Sequence, residues 1–247
     1  MKALVNVRLG SSRLPGKVLK SFWNGKVALE ILINRLSAST EIDEIIINTT
    51  TNPLDDKLVD FCKSNNLRYN RGSEDDVLSR MCDCVKKYNL DSFVEVFGDC
   101  PLIDPKIVTN LIKIFLNKNH DFVGNDMKTT FPPGFEVEVV KSSALLDSEE
   151  LCNDPSIREH GTLYIRQNPD QYNLVNIEYS KKMDFLPHLT LDTIEDFNVI
   201  NYLHEALTST YGDFFDLEDL LSFISKNPSS VQGNAHIERK WKQYRDE

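Results

Sequence analysis

The first half of the chain alternates unbroken apolar runs with amphipathic ones. Segments 3–7, 44–49 and 92–97 are nearly continuous in apolar residues, the pattern of strands covered on both faces. Between them Leu29, Leu32, Ile33 and Leu36 recur at three-and-four spacing, which predicts a helix over 27–36. Further helices are predicted over 55–62, after Pro53, and over 77–88, with Ser73 as the expected N-cap and acids in the first turn. A short strand is expected at 67–69. Strand and helix alternating in this way predict a parallel sheet.

The second half is less regular. Segment 135–140 has period two, with Phe135, Val137 and Val139 on one face and Glu136 and Glu138 on the other. Those acids either meet substrate hydroxyls or form the wet side of an edge strand. One helix is predicted over 156–166, carrying Arg158, His160 and Arg166; a single helical His is more often packed or solvated than catalytic. A strand is read at 189–192, then helices through Val199, Leu203 and Leu207 and over 217–224. The tail from Asn227 is polar, and 236–240 is too short to interpret. No repeat, linker or domain boundary stands out, so the expectation is a single domain over 1–247.

Length and composition narrow the function. A chain of 247 residues with 40% apolar content can bury a large core without staples. A net charge of −10 argues against a nucleic-acid surface. Five cysteines without CxxC spacing, and no charged-then-apolar start, predict a reduced, cytoplasmic protein. No apolar run approaches membrane-spanning length, so no membrane partner is expected.

The first strand empties into Arg8-Leu9-Gly10-Ser11-Ser12-Arg13-Leu14-Pro15-Gly16-Lys17. Small residues, hydroxyls and the cations Arg8, Arg13 and Lys17 suit a polyphosphate, and the carboxyl end of a strand is where α/β sheets place ligands. The spacing is neither GxGxxG nor GxxxxGK[ST], and a solvated basic turn is the competing reading. Asp99 follows another strand end on the same rim, and a carboxylate beside a triphosphate implies Mg²⁺ between them. Asp104 before Pro105 reads as a helix N-cap; the cap of the helix after segment 189–192 is Thr193 or Asp192, and Asp192 reads alternatively as a second metal carboxylate.

Taken together, RLGSSRLPGKVL from Arg8, TNPLDD from Thr51, RGSEDDVLSR from Arg71, GDCPLIDP from Gly98, PPGFEVEV from Pro132, REHGTLYIR from Arg158, TLDTIEDF from Thr190 and NAHI from Asn234 resemble the SpsF-type cytidylyltransferases of spore-coat polysaccharide biosynthesis. These are relatives of the enzymes that activate 3-deoxy-manno-octulosonate and acylneuraminates. The resemblance covers nearly the whole chain. It implies an α/β, Rossmann-like nucleotide-diphospho-sugar transferase fold with a mixed, mainly parallel sheet, and transfer of CMP from CTP to a sugar acid with release of pyrophosphate.

By the same resemblance Arg8, Ser11, Arg13 and Lys17 hold the triphosphate, and Arg71 and Ser73 lie near cytosine and ribose. Asp99 and Asp192 hold Mg²⁺, while Glu136, Glu138, Arg158 and His160 line the acceptor side. Arg8, Lys17 and Asp99 are the expected catalytic groups, with no general base assigned, and a homodimer is expected. His188-Leu189 and REHGTLY depart from the Arg-Trp and REHVTPY that family members often show, both on the acceptor half. A phosphonate or polyol-phosphate acceptor, another nucleoside triphosphate, and an inactive scaffold are the alternatives.

Overall fold

The computed structural model describes residues 1–183 and 185–238. The end of the polar tail, including Arg239 and Lys240, lies outside them. The chain runs β1 (Lys2–Asn6), α1 (Ala28–Leu36), β2 (Glu44–Thr50), α2 (Asp56–Ser64), β3 (Arg68–Gly72), α3 (Val77–Tyr88), β4 (Ser92–Phe97) and α4 (Pro105–Asn117). It continues with β5 (Phe122–Gly124), β6 (Glu138–Lys141), α5 (Ser142–Leu151), α6 (Pro155–Arg158), α7 (Leu163–Gln167), β7 (Leu174–Asn176), α8 (Ile194–Tyr211) and α9 (Leu217–Lys226).

The strands form one seven-stranded sheet in the order β3-β2-β1-β4-β6-β5-β7. Only β6 runs against its neighbours, antiparallel to both β4 and β5; the remaining pairs are parallel. The sheet is therefore mixed and mainly parallel.

Alternate side chains on each strand feed two cores. Ala3, Val5, Ile45, Ile47, Val94 and Val96 pack with α1, α2 and α4 on one face. Leu4, Ile46, Phe93 and Val140 pack with α3 and α5 on the other. Burial on both faces is what makes the strands continuously apolar. A third cluster joins α8 and α9 to Phe135, Leu189 and Leu191.

Four local expectations are corrected. Segment 135–140 is not a wet edge: β6 sits inside the sheet, and Glu136 and Glu138 are buried along with the apolar set. The helix over 156–166 is two short helices, broken where Gly161 takes a positive φ of 55°, a conformation no helix contains. Segment 189–192 is not a strand. Its amides bond loop carbonyls, Leu189 to Pro133 and Leu191 to Asp99, so it is buried without joining the sheet. The N-cap of α3 is Asp76, whose carboxylate accepts from Ser79 N; Ser73 Oγ accepts from Asp76 N one turn earlier. Asp104 does cap α4, accepting from Lys106 N, and also accepts from Leu217 N.

Candidate active site

A cavity of about 680 Å³ opens at the carboxyl ends of β1 and β4. Its walls include Arg8, Ser11, Ser12, Arg13 and Lys17 from the first loop, Asp99 after β4, and Asp192 before α8.

The first loop is anchored from below. Asp55, 1% exposed, accepts from Leu9 N at 2.8 Å and from the Thr50 hydroxyl, so the loop hangs from the end of β2. Above that anchor, Lys17 Nζ donates to Asp99 Oδ2 at 2.8 Å and to Asp192 Oδ1 at 2.9 Å. Burial alone would lower the Lys17 pKa, but the two carboxylates outweigh it and raise it, so the ammonium stays charged. Arg13 Nη2 holds the other Asp192 oxygen at 3.0 Å. Arg8 is looser, with Nη1 3.4 Å from Glu74 O and 3.8 Å from Glu74 Oε1. Asp192 is not the cap of α8; Thr193 is, in a capping box with Asp196. That leaves the Asp192 carboxylate to the cavity.

The floor of the cavity is built from buried polar and acidic side chains. On the sheet face that holds Leu4, Ile46, Phe93 and Val140, the position two residues nearer the cavity is polar on each strand: Asn6, Asn48, Glu95 and Glu138. These polar side chains form a row. Asn70 Nδ2 donates to Asn48 Oδ1 at 3.0 Å, Asn48 Nδ2 to Asn6 Oδ1 at 2.7 Å, and Asn6 Nδ2 to Glu95 Oε1 at 2.7 Å.

Glu95 and Glu138 stand opposite each other in the β4–β6 register, an unfavourable pairing of two ionised acids. Burial pushes the Glu95 carboxyl up to about 7. Burial, then Asp126 and Glu95, push Glu138 well above the ordinary carboxylate range. Arg166 answers from α7, with Nη1 3.0 Å from Asp126 Oδ2 and 3.2 Å from Glu138 Oε1. Thr162 Oγ1 donates to Glu138 Oε2 at 2.5 Å. His160 borders the same wall, and burial lowers its pKa, so the imidazole is neutral at pH 7.

The structure thus gathers Arg8, Ser11, Arg13, Lys17, Asp99, Asp192, Glu138 and His160 around one space, but Arg71, Ser73, Glu136 and Arg158 do not line it. Arg71 is occupied by Thr50 O, Asn52 O and Asp56, and Arg158 by Asp76, Glu149 O and Cys152 O. Glu136 Oε2 accepts from Gly134 N at 2.6 Å and tightens that turn. Sequence reasoning missed Asn6, Arg80, Glu95 and Asp126 as wall residues. Glu95 and Asn6 left a signal, since each is a lone polar residue in an otherwise apolar strand. Asp126 and Arg80 left none.

A chain from Methanocaldococcus jannaschii, protein MJ1063, is 32% identical over 96% of this chain and 95% of its own length. The spore coat polysaccharide biosynthesis protein SpsF of Bacillus subtilis is 28% identical over 92% and 95%. A 3-deoxy-manno-octulosonate cytidylyltransferase of Christiangramia forsetii is 24% identical over 81% and 83%. A solved cytidylyltransferase from Leptospira borgpetersenii superposes with a TM-score of 0.88 at 32% identity, covering 96% of this chain and 99% of that one. The cytidylyltransferase family pattern matches residues 2–226, and the chain belongs to that family.

Proposed function

We propose that this cytidylyltransferase transfers CMP from CTP to a sugar acid, with the triphosphate at the cationic end of the cavity and the acceptor over its acidic floor. The observation that carries the reading is one continuous space lined both by the first-loop cations Arg8, Arg13 and Lys17 and by the buried acids Glu95, Asp126 and Glu138. The octulosonate-activating relative favours a sugar acid over a sugar phosphate.

Asp99 and Asp192 suit Mg²⁺. Their oxygens already converge on one cation, the Lys17 ammonium, at 2.8 and 2.9 Å, and they are hard oxygen donors. Two carboxylates leave an ion of this kind to take its other ligands from phosphates and water. Bound there, Mg²⁺ would neutralise charge on the phosphates. The chain's own contribution is positional and electrostatic. Arg8, Arg13 and Lys17 bind and orient the triphosphate, and Ser11 and Ser12 add donors at the loop. Lys17 holds positive charge where pyrophosphate departs, and the floor fixes the acceptor so that its oxygen approaches the α-phosphorus in line.

Thermal unfolding with each of the four ribonucleoside triphosphates, with and without Mg²⁺, tests the donor. At about 100 times its dissociation constant a ligand adds roughly 2.7 kcal/mol, which raises the midpoint by about 5–11 °C for a chain of this size. A CTP-selective, Mg²⁺-dependent rise is expected. A rise with GTP or UTP would move the donor, and none at all would favour a scaffold.

A further inference from the structure

We propose that the Lys17 ammonium holds the metal position between Asp99 and Asp192 in the free protein, so that a divalent ion enters only when a polyphosphate draws Lys17 away. This rests on the reading of those two carboxylates as metal ligands and adds the condition under which they act. Asp99 follows β4 and Asp192 precedes α8, yet each turns an oxygen to Lys17 Nζ, at 2.8 and 2.9 Å. Arg13 Nη2 takes the second Asp192 oxygen at 3.0 Å. Two carboxylates are thus matched by two cations. The Lys17 side chain is only 11% exposed, so dissolved ions screen it poorly from anything that shares its place.

A divalent ion added to this arrangement would lie beside the ammonium with no negative charge left over to hold it, and like charges at such range repel. A triphosphate changes the count. It brings several negative charges and new oxygens for Lys17 and Arg13, which frees Asp99 and Asp192 for a metal. Arg8 is placed to receive it first, since its own contacts with Glu74 are long, at 3.4 and 3.8 Å. The exchange of partners falls to the Lys17 side chain alone. Gly16 N donates to Leu9 O at 3.1 Å, Lys17 N donates to Leu14 O at 3.2 Å, and Asp55 holds Leu9 N from beneath, so the backbone under Lys17 is tied down. A point charge on a flexible four-carbon stem suits that movement.

The probe is Mn²⁺, followed by water-proton relaxation, which is enhanced when the ion becomes bound to protein. The parent alone is expected to give little enhancement, and to gain it when α,β-methylene-CTP, which cannot release pyrophosphate, is added. Lys17→Met should bind Mn²⁺ without nucleotide at least about tenfold more tightly than the parent, and Asp192→Asn added to it should abolish that binding. Lys17→Arg keeps the charge and should exclude the ion as the parent does. Circular dichroism checks each fold, and Lys17→Gln takes the place of Lys17→Met if the latter does not fold. Mn²⁺ affinities of parent and Lys17→Met within about threefold of each other, without nucleotide, overturn the proposal. So does binding that survives Asp192→Asn, or a Lys17→Arg variant that admits the ion. No enhancement in any sample, analogue included, overturns the metal reading itself.

Discussion

Glu95→Gln should make the protein more stable at neutral and alkaline pH. The substitution keeps the side chain's shape and its oxygen for Asn6, and puts an N–H where Glu138 faces Glu95. In the parent chain Glu95 is held at about 7 against an ordinary 4.5, burial being the main cause, with Asp126 raising it and Asn6, Glu138 and Arg166 opposing. The folded state thus binds this proton more tightly than the unfolded state. Below pH 4.5 both states carry it; as pH rises through 7 the stability it lent is lost. At 1.36 kcal/mol per pKa unit, the loss is about 3 kcal/mol.

The amide of the variant has no such proton to lose. Urea unfolding from pH 4.5 to 8.5 should therefore give two curves that agree at the acid end and separate by up to about 3 kcal/mol above pH 7, the variant higher. Titrating groups far from the floor cancel in the difference, whereas Glu138, which Glu95 helps to push up, titrates lower in the variant. Parallel curves, or a variant less stable at pH 8, would refute the reasoning. Curves that separate as expected mean that ionising Glu95 in its buried place costs the folded parent stability.

Two other substitutions probe the scaffold and the cationic loop. Gly134 has a φ of 109°, and a Cβ there would lie 2.6 Å from the carbonyl carbon and oxygen of Leu189. Gly134→Ala should cost roughly 3 kcal/mol, a fall of about 6–12 °C in Tm; a midpoint within 1 °C of the parent would show that the Leu189 segment yields easily. Lys17→Met removes the ammonium between Asp99 and Asp192, and pyrophosphate release from CTP should drop at least about 100-fold with circular dichroism unchanged. A rate within threefold of the parent would remove Lys17 from the catalytic groups.

What could be read from the residues alone follows from how each is buried. Strands β1, β2 and β4 and helix α3 were legible because burial on both sheet faces, or on one helix face, writes itself as periodicity. Strands β5 and β7 span three residues each, too short to show any period. The Leu189–Leu191 stretch alternates like a strand because it is buried like one, yet its amides go to loop carbonyls. In the site, the cations of the first loop were legible because they adjoin a strand end. The floor was half legible: Glu138 showed in a period-two segment, while Glu95 was passed over inside an apolar run. Asp126 and Arg166 meet only through tertiary folding, 40 residues apart. Arg71 and Arg158 mark the opposite error, cations in a matching motif whose guanidinium groups tie down backbone carbonyls.

The row from Asn70 through Asn48 and Asn6 to Glu95 has a direction: every amide gives its N–H towards the cavity and offers its oxygen to the edge of the sheet. Turning one amide round would set N–H against N–H on one side and oxygen against oxygen on the other. The sense of the whole row is therefore dictated by its last member, the carboxylate at Glu95, which while ionised can only accept. Aligned dipoles reinforce one another. A change of charge at Glu95 is therefore felt along the row as far as strand β3, about 14 Å away at three strand spacings.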